Sequence, residues 1–484
     1  MKEDLYAVVD LGSTYTVGMI GKKLSNGRIS PIAVHTEPSN GCIRHGCIYN
    51  IDNTATMLKR MVDVLNNQLQ DGGKITSIYA GVGCQSMMAK QYAASLDLGD
   101  DGQVITQEHL QTLRDQVSDA RFEGLEILYV ADPLYYIDGR QEIHPQGIRC
   151  SHLEARYQLI TAKRTVAHNI RYTIEEKVGI RLSGIVISPI AEAAVTLTSE
   201  EKTLGCAFVN LGGGCTTISI YQNRLLSALY VLPLGGHNVT RDLTSLRLVE
   251  ADAEALKISK GSMIMEGIRD RIVRISSPDK ISEREIKQLD INRLVAARMN
   301  EITFNYLNLI NQSGMADSLG AGLVITGGGA KVNAYIPQLD DQLDELRVGT
   351  IRRDLIDESK EAVNNDRNLT AIGLLLLANE NCVAYAAQSL DELINSIPTK
   401  GVEGEKLVTE PSFAGNFPEE NIISDKVITD DIDDLDLNIN DDEEDNYEYE
   451  DEKQPKKSQT KRKNWARNMM TKMMDIFNAD ENND

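Results

Sequence analysis

One pattern occurs twice in this chain, 200 residues apart, and it limits the fold more than any other feature. AVVDLGSTYTVGMI begins at Ala7 and AFVNLGGGCTTISI at Ala207, with six of fourteen positions identical. In both copies an apolar strand runs into glycine and small residues, then out through a second alternating strand. A third segment, GLVITGGGAKVNAY from Gly322, leads from an apolar strand through three glycines into a helix-like stretch. A single glycine turn is ordinary hairpin chemistry. Two matched turns followed by strand–GGG–helix predict two duplicated halves that each offer a turn to a shared cleft. Turns of this composition let backbone N–H groups approach a phosphate, because glycine carries no Cβ.

Around the repeat, strand-like and helix-like segments alternate from Tyr6 to about Gln388, as in an α/β protein. Met57, Leu58, Met61, Val62 and Leu65 recur at helical spacing, as do Ile291, Leu294, Val295, Met299, Ile302 and Tyr306. A chain of 484 residues with 42% apolar content has material for more than one core. Its net charge of −22 is concentrated, since 14 acidic residues and no Lys or Arg lie between Asp430 and Glu452. Nothing in this balance points to nucleic acid as a partner. Seven cysteines without a C-x-x-C pair imply neither a disulfide framework nor a zinc site, and fit a reducing cytoplasm. MKEDLYAVVD lacks a signal-peptide core and no run of 18 apolar residues occurs, so neither export nor a spanning helix is expected.

The end of the chain differs in character. Residues 395 to 455 are polar and acidic, include Pro398, Pro411 and Pro418, and read as a disordered linker that buries too little apolar surface to order itself. A flexible stretch of about 70 residues reaches roughly 45 Å root-mean-square. The last residues turn basic, with Lys456, Lys457, Lys461, Arg462, Lys463, Arg467 and Lys472. Read as a helix from about Asn464, they place Ala466, Met469, Met470, Met473, Ile476 and Phe477 on one stripe flanked by Trp465 and Met474. That is the pattern of an interfacial helix on an anionic membrane, each basic residue contributing about 1 kcal/mol at most. A helix docking on a protein groove has a similar pattern.

DLGST, NLGGGCTT and TGGGAKV resemble the two phosphate loops and the adenosine loop of the actin and DnaK-chaperone ATPase superfamily. Within it, DPLYYIDGRQEIHPQGIRCSHLEARYQLITAKRTVAHNI, PIAEAAVTLTSEEKTLG, PLGGHNVTRDL and ADAEALKISKG are similar, in this order, to the FtsA family of bacterial cell-division proteins. The resemblance covers about residues 5 to 385, and the basic C-terminal helix also matches. It implies an actin-like duplicated ATPase fold with an FtsA-type inserted subdomain. The first core domain would take residues 1–84, 163–190 and a return at 363–394, with the inserted subdomain at 85–162. The second core domain would take 191–362, with a small subdomain at about 225–320. The acidic linker at 395–455 and the amphipathic helix at 456–484 would follow.

The resemblance also implies residue roles toward ATP and Mg²⁺. Asp10 would face the metal through water, with a turn-capping aspartate as the plainer alternative. Gly12, Ser13 and Thr14 would hold the β- and γ-phosphates from one side, and Gly212, Gly213, Gly214 and Thr216 from the other. Gly235 and Gly236 would let the chain pass close to the nucleotide. Glu254 and Lys257 would reach ribose and base, or else form a surface ion pair. Gly327, Gly328 and Gly329 would pass under adenine, or simply start a helix. Two departures stand out: Asn210 occupies the place of a carboxylate, and Tyr15, Thr16 and Val17 fill positions where relatives often carry a Lys, leaving Lys22 and Lys23 at the far end of a strand. Each lost donor of this kind costs about 2.7–4 kcal/mol in catalysis, so binding with slow or absent turnover is expected. Ser188 and Glu192 are the candidates to position water.

By the same resemblance the protein would polymerise head to tail at the cytoplasmic face of the inner membrane, at the division septum. It would hold the C-terminal tail of the tubulin-like FtsZ on its small subdomain, where Arg241, Arg247, Lys257 and Lys260 offer positive charge. Trp465, Arg467, Met469, Met470, Met473, Ile476 and Phe477 would contact anionic lipid, and the inserted subdomain would meet neighbouring subunits and downstream division proteins. The alternatives are a superfamily kinase or ATPase acting on a small molecule, and a pilus-assembly-type scaffold.

Overall fold

The computed structural model describes residues 4–69, 72–268, 271–276, 283–341, 343, 345–357 and 365–385. The acidic linker and the amphipathic helix with Trp465, Arg467, Met469, Met470, Met473, Ile476 and Phe477 lie outside the described residues.

In each copy of the repeat, alternating apolar residues make two strands that pair antiparallel, and the small residues are left to the connecting turn. The first half runs β1 (Tyr6–Leu11), β2 (Tyr15–Lys23), β3 (Ile29–Pro38), α1 (Ile51–Gln68) and β4 (Ser77–Val82). There follow β5 (Met88–Asp97), α2 (Gln107–Ser118), β6 (Leu125–Val130), β7 (Leu134–Ile137), β8 (Arg140–Glu142) and β9 (His152–Lys163). These five strands form a sheet of their own, and Leu113, Val117, Ala155 and Leu159 lie in the separate core between it and α2. The chain then returns through α3 (Arg164–Arg171), β10 (Arg181–Ile187) and α4 (Ser188–Thr196). The second half runs β11 (Cys206–Leu211), β12 (Thr216–Gln222), β13 (Leu225–Leu232), α5 (Gly236–Thr244), α6 (Glu250–Lys260), α7 (Gln288–Gln312), β14 (Leu323–Thr326) and β15 (Leu346–Val348). Helix α8 (Leu369–Leu377) follows.

The two main sheets have one topology. Their strand orders are β10-β4-β1-β2-β3 and β13-β12-β11-β14-β15. In each, the leading strand pairs antiparallel with the next strand and parallel with a later one. Even the register repeats: Asp10 stands opposite Val17, and Asn210 opposite Thr217. The structure therefore contains the duplicated halves that the sequence repeat predicts.

The helices bury the faces that their periodicity marks. Asn50 caps α1 by accepting from the Asn53 amide at 2.9 Å, and Met57, Leu58, Met61, Val62 and Leu65 face the core. On α7, Ile291, Val295, Met299, Ile302 and Tyr306 are buried, whereas Leu294 is only partly covered. No helix among the described residues is long and apolar enough to cross a membrane.

One helix contact positions the site. On α8, a Cβ at Gly373 would stand 2.2 Å from the Ala191 carbonyl oxygen on α4. The two helices therefore cross backbone to backbone, which only a glycine permits. That crossing brings Ser188 and Glu192 of α4 and Thr370 of α8 to the C-terminal end of β1.

Candidate functional site

The site starts from the two glycine turns, which face each other. A Cβ on Gly213 would meet Thr14 Oγ1 at 2.0 Å, and one on Gly214 would meet Ser13 Oγ at 2.6 Å. Gly12 and Gly212 are closed off by their own turns, at 2.4 Å from the Tyr15 carbonyl and 2.7 Å from the Cys215 carbonyl. Ser39 fixes the first turn by donating its hydroxyl to the Gly12 carbonyl at 2.7 Å. Two residues from outside the repeat stitch the turns together. The Gly46 amide donates to Ser13 Oγ at 2.9 Å, and His45 Nδ1 lies 2.6 Å from the Gly214 carbonyl.

A third wall comes from the start of α5. Gly236 N donates to the Gly212 carbonyl at 3.0 Å and His237 N to the Gly213 carbonyl at 2.8 Å, so this turn is docked on the second glycine turn. A Cβ on Gly235 would stand 2.6 Å from both carbonyl oxygens. His237 Nε2 reaches back across the cleft to Thr14 Oγ1 at 2.9 Å. Burial lowers the His237 pKa, and the nearby Lys257 charge adds to that. Thr216 donates to the Leu234 carbonyl at 2.9 Å and so supports the turn from behind rather than facing the cleft.

Glu254 and Lys257 are not an ordinary surface pair. Lys257 Nζ is mostly buried and donates to Glu254 Oε2 at 2.6 Å, the Gly236 carbonyl at 2.9 Å and Thr240 Oγ1 at 2.8 Å. Burial alone would raise the Glu254 pKa, but the Lys257 ammonium and the Thr240 hydroxyl overcome it and the net shift is downward. Since its ammonium is turned to the Gly235–Gly236 turn, Lys257 does not belong to an exposed basic face, which corrects its second expected role. Gly327 has φ +94°, and a Cβ there would meet Asn210 Oδ1 at 2.2 Å. Gly329 is similarly pressed on Leu211, whereas Gly328 faces open space.

Behind the turns sits an acidic cluster. Ser188 Oγ lies 3.5 Å from Asp10 Oδ1, and Thr370 Oγ1 donates to Glu192 Oε1 at 2.9 Å. Glu192 is 3% exposed and its Oε2 makes no hydrogen bond, with the Asn210 amide beside it. Burial pushes Glu192 up to about 7; Asp10 reinforces the shift, while Asn210 and Thr370 oppose it. Burial likewise lifts Asp10 to about 7 against hydrogen bonds from Ser188 and Thr370. The structure thus brings Asp10, Ser188, Glu192 and Asn210 into one cluster. Lys22 and Lys23 end β2 well away from it, with Lys23 over the Tyr6 ring.

A second concavity lies between α5 and α7. Its volume is about 610 Å³ and Asp242, Ser245, Leu294, Ala297, Arg298, Glu301 and Phe304 line it. Arg298 grips Asp242 with two hydrogen bonds, at 2.6 and 3.0 Å. The exposed residues Arg241, Arg247 and Lys260 are not in its lining.

His45, Gly46, His237 and Thr370 escaped the sequence reading. His237 lies inside the motif LPLGGHNVT, where a histidine next to two glycines was a usable signal. Thr370 opens the apolar run LTAIGLLLL and carries no local signal at all.

Comparison with known proteins bears on most of the chain. The profile of a family described as "Cell division protein FtsA" matches residues 207–415. A protein of that name from Porphyromonas gingivalis is 47% identical over 396 residues, covering 82% of this chain and 83% of the relative. The Bacillus subtilis protein of the same name is 27% identical, covering 78% of this chain and 84% of its own length. Among solved structures, the "PilM-PilN type IV pilus biogenesis complex" aligns with a TM-score of 0.53 at 15% identity, covering 78% of this chain and 98% of that one. At that identity the likeness establishes the fold, which is actin-like.

Proposed function

Because the chain belongs to the FtsA family of cell division proteins, we propose that it binds ATP with Mg²⁺ between its two glycine turns and uses that state to assemble into membrane-attached polymers. One observation carries this reading: turns from two duplicated halves meet across one cleft, and a Cβ has no room at Gly212, Gly213, Gly214 or Gly235. The hydroxyls of Ser13 and Thr14, now bonded to Gly46 and His237, would turn to phosphate oxygens as the turns part. The donor set also fits Mg²⁺, a hard cation that takes oxygen ligands and keeps several waters. Asp10 and the unpaired Oε2 of buried Glu192 supply the oxygens. Bound Mg²⁺ would neutralise charge that develops on the phosphates. Asn210 orients water but adds no charge, and Glu192 beside it restores the negative charge that an amide lacks.

In this reading the polymer lies on the cytoplasmic face of the inner membrane at the division septum, held to anionic lipid by the C-terminal helix. The small subdomain takes the tail of FtsZ, with the concavity between α5 and α7 as the docking surface. There Leu294, Ala297 and Phe304 offer apolar contact, while Arg298 is held by Asp242 and Glu301 and keeps the rim charge-paired. The inserted subdomain carries contacts to neighbouring subunits and other division proteins.

The direct test is ATP occupancy and phosphate release, with and without anionic vesicles. Gly235→Ala is expected to weaken ATP binding more than tenfold, about 1.4 kcal/mol, while its melting transition stays cooperative. Unchanged affinity would refute the placement of the nucleotide. Asn210→Asp is expected to speed phosphate release about tenfold or more, because a second-turn carboxylate strengthens the metal's hold on the phosphates. If the parent already turns over steadily and Asn210→Asp adds nothing, Glu192 supplies the full charge and assembly is timed by hydrolysis.

A further inference from the structure

Three of the seven cysteines gather beside the cleft. Cys47 directly follows His45 and Gly46, the two residues that join the glycine turns. Cys84 lies just beyond β4, on the segment against which that bridge packs. The contact is backbone to backbone: Gln85 N donates to the His45 carbonyl at 3.0 Å, and a Cβ on Gly46 would stand 2.9 Å from Cys84 Cα. The Cys47 and Cys84 thiols lie close enough to shift each other's titration in opposite directions. Cys215, next after Gly214, is near enough to bear electrostatically on both. All three are free thiols; Cys84 and Cys215 are buried and Cys47 is half-buried.

This pair differs from two packed core thiols. Cys84 Sγ lies 3.4 Å from Ser86 Oγ, and the Met87 amide donates to the Cys84 carbonyl at 3.0 Å, which turns the backbone tightly around the thiol. The neighbouring Cys47 thiol first, and then Ser86 and the backbone of Ser86 and Met87, hold the Cys84 thiol down at about 7 against the effect of burial, below the ordinary thiol range. Cys47 is pushed the other way, first by the neighbouring Cys84 thiol and then by burial. One sulfur is therefore ready to attack while the other keeps its proton in reserve.

We propose that Cys47 and Cys84 form a peroxide-oxidisable dithiol, whose disulfide fastens the His45–Gly46 bridge across the cleft. The Cys84 thiolate attacks one oxygen of hydrogen peroxide. The O–O bond breaks, a sulfenic acid forms on Cys84, and the second oxygen leaves as hydroxide, which is protonated to water. Cys47 then gives up its proton and attacks the Cys84 sulfur, the S–S bond forms, and the sulfenic oxygen leaves as water. Two thiols are oxidised and one peroxide is reduced to two waters. A disulfide needs Cα atoms about 4.4–6.8 Å apart, and the residue before Cys47 already packs against the Cys84 backbone. Once formed, the bond restrains a segment that touches both Ser13 and Gly214. That consequence for nucleotide rests on the reading of the cleft given above, whereas the bond does not.

The experiment titrates the full-length protein with hydrogen peroxide, then alkylates it under denaturing conditions and maps the cysteine peptides. A linked Cys47–Cys84 peptide is expected at about one equivalent of peroxide, with the other five cysteines alkylated. Cys47→Ser should leave a sulfenic acid on Cys84 that dimedone captures, and Cys84→Ser should leave neither product. Cys84 still alkylated when other cysteines are already oxidised would overturn the proposal, as would its pairing with Cys215. ATP affinity of the oxidised and reduced forms is measured alongside, with a change of about tenfold expected. The disulfide without any change in affinity overturns the fastening role. The disulfide with no ATP binding in either form leaves the dithiol standing and overturns the nucleotide reading instead.

Discussion

Glu192→Gln is expected to unfold at higher temperature than the parent at pH 8 and at nearly the same temperature close to pH 4. The reason is the depth of this carboxyl, 3% exposed, with one oxygen unpaired and Asp10 nearby. Burial raises its pKa from 4.5 to about 7. In the unfolded chain it ionises near its ordinary value. Between those two values the folded protein keeps a proton that the unfolded chain has lost. Stability is thus full below about pH 4.5, falls as pH rises, and levels off above about pH 7. At 1.36 kcal/mol per pH unit over that window, the loss is of the order of 3 kcal/mol. A neutral amide does not titrate, so the variant escapes it. Added Mg²⁺ should restore the parent at pH 8 and do less for the variant, a readout that needs no turnover. Parallel stability curves for the two proteins would show that the carboxyl ionises normally.

The second large effect is expected at Gly373. Alanine there gains about 1 kcal/mol in helix propensity. Its Cβ would meet the Ala191 carbonyl oxygen at 2.2 Å and carbonyl carbon at 2.5 Å, and neither can swing aside as a side chain does. Overpacking of this kind costs about 1–3 kcal/mol, and α4 and α8 must separate to absorb it. Separation also loosens Thr370 from Glu192, and since that hydrogen bond opposes the upward shift of the carboxyl, Gly373→Ala should steepen the pH dependence just described. Urea unfolding measures the first effect and its repetition at two pH values the second. A variant more stable than the parent would mean that the helices do not cross at this point.

The frame of the molecule was readable in the chain because it is local. The repeat at Ala7 and Ala207 gave both hairpins, and the two registers agree residue for residue. Periodicity gave α1 and α7, and missed only that Leu294 borders a groove instead of the core. The places of Ser13, Gly213 and Gly235 in turns, and of Asp10 at the end of the strand that enters the first turn, were legible for the same reason, since their neighbours dictate the local shape. The partners of those residues were not. Thr370 meets Glu192 across 178 residues, and His237 meets Thr14 across 223. No spacing rule connects positions so far apart, because only packed helices and sheets bring them together. The thiol pair was hidden likewise. Cys47 and Cys84 stand 37 positions apart in the chain and share no motif.

The matching registers of the two sheets carry a last consequence, for direction. A cleft walled by two equal halves is nearly symmetric, and an elongated guest could enter it either way round at equal energy. Here the two hairpins keep that degeneracy, while the α5 wall on the second turn and the side chains remove it. Asp10 and Asn210 hold equivalent places, yet one can carry a full charge and the other cannot. Each end of a guest therefore meets a chemically different wall. A subunit that fixes the orientation of its guest in this way has a front and a back, and a filament built from such subunits inherits a polarity.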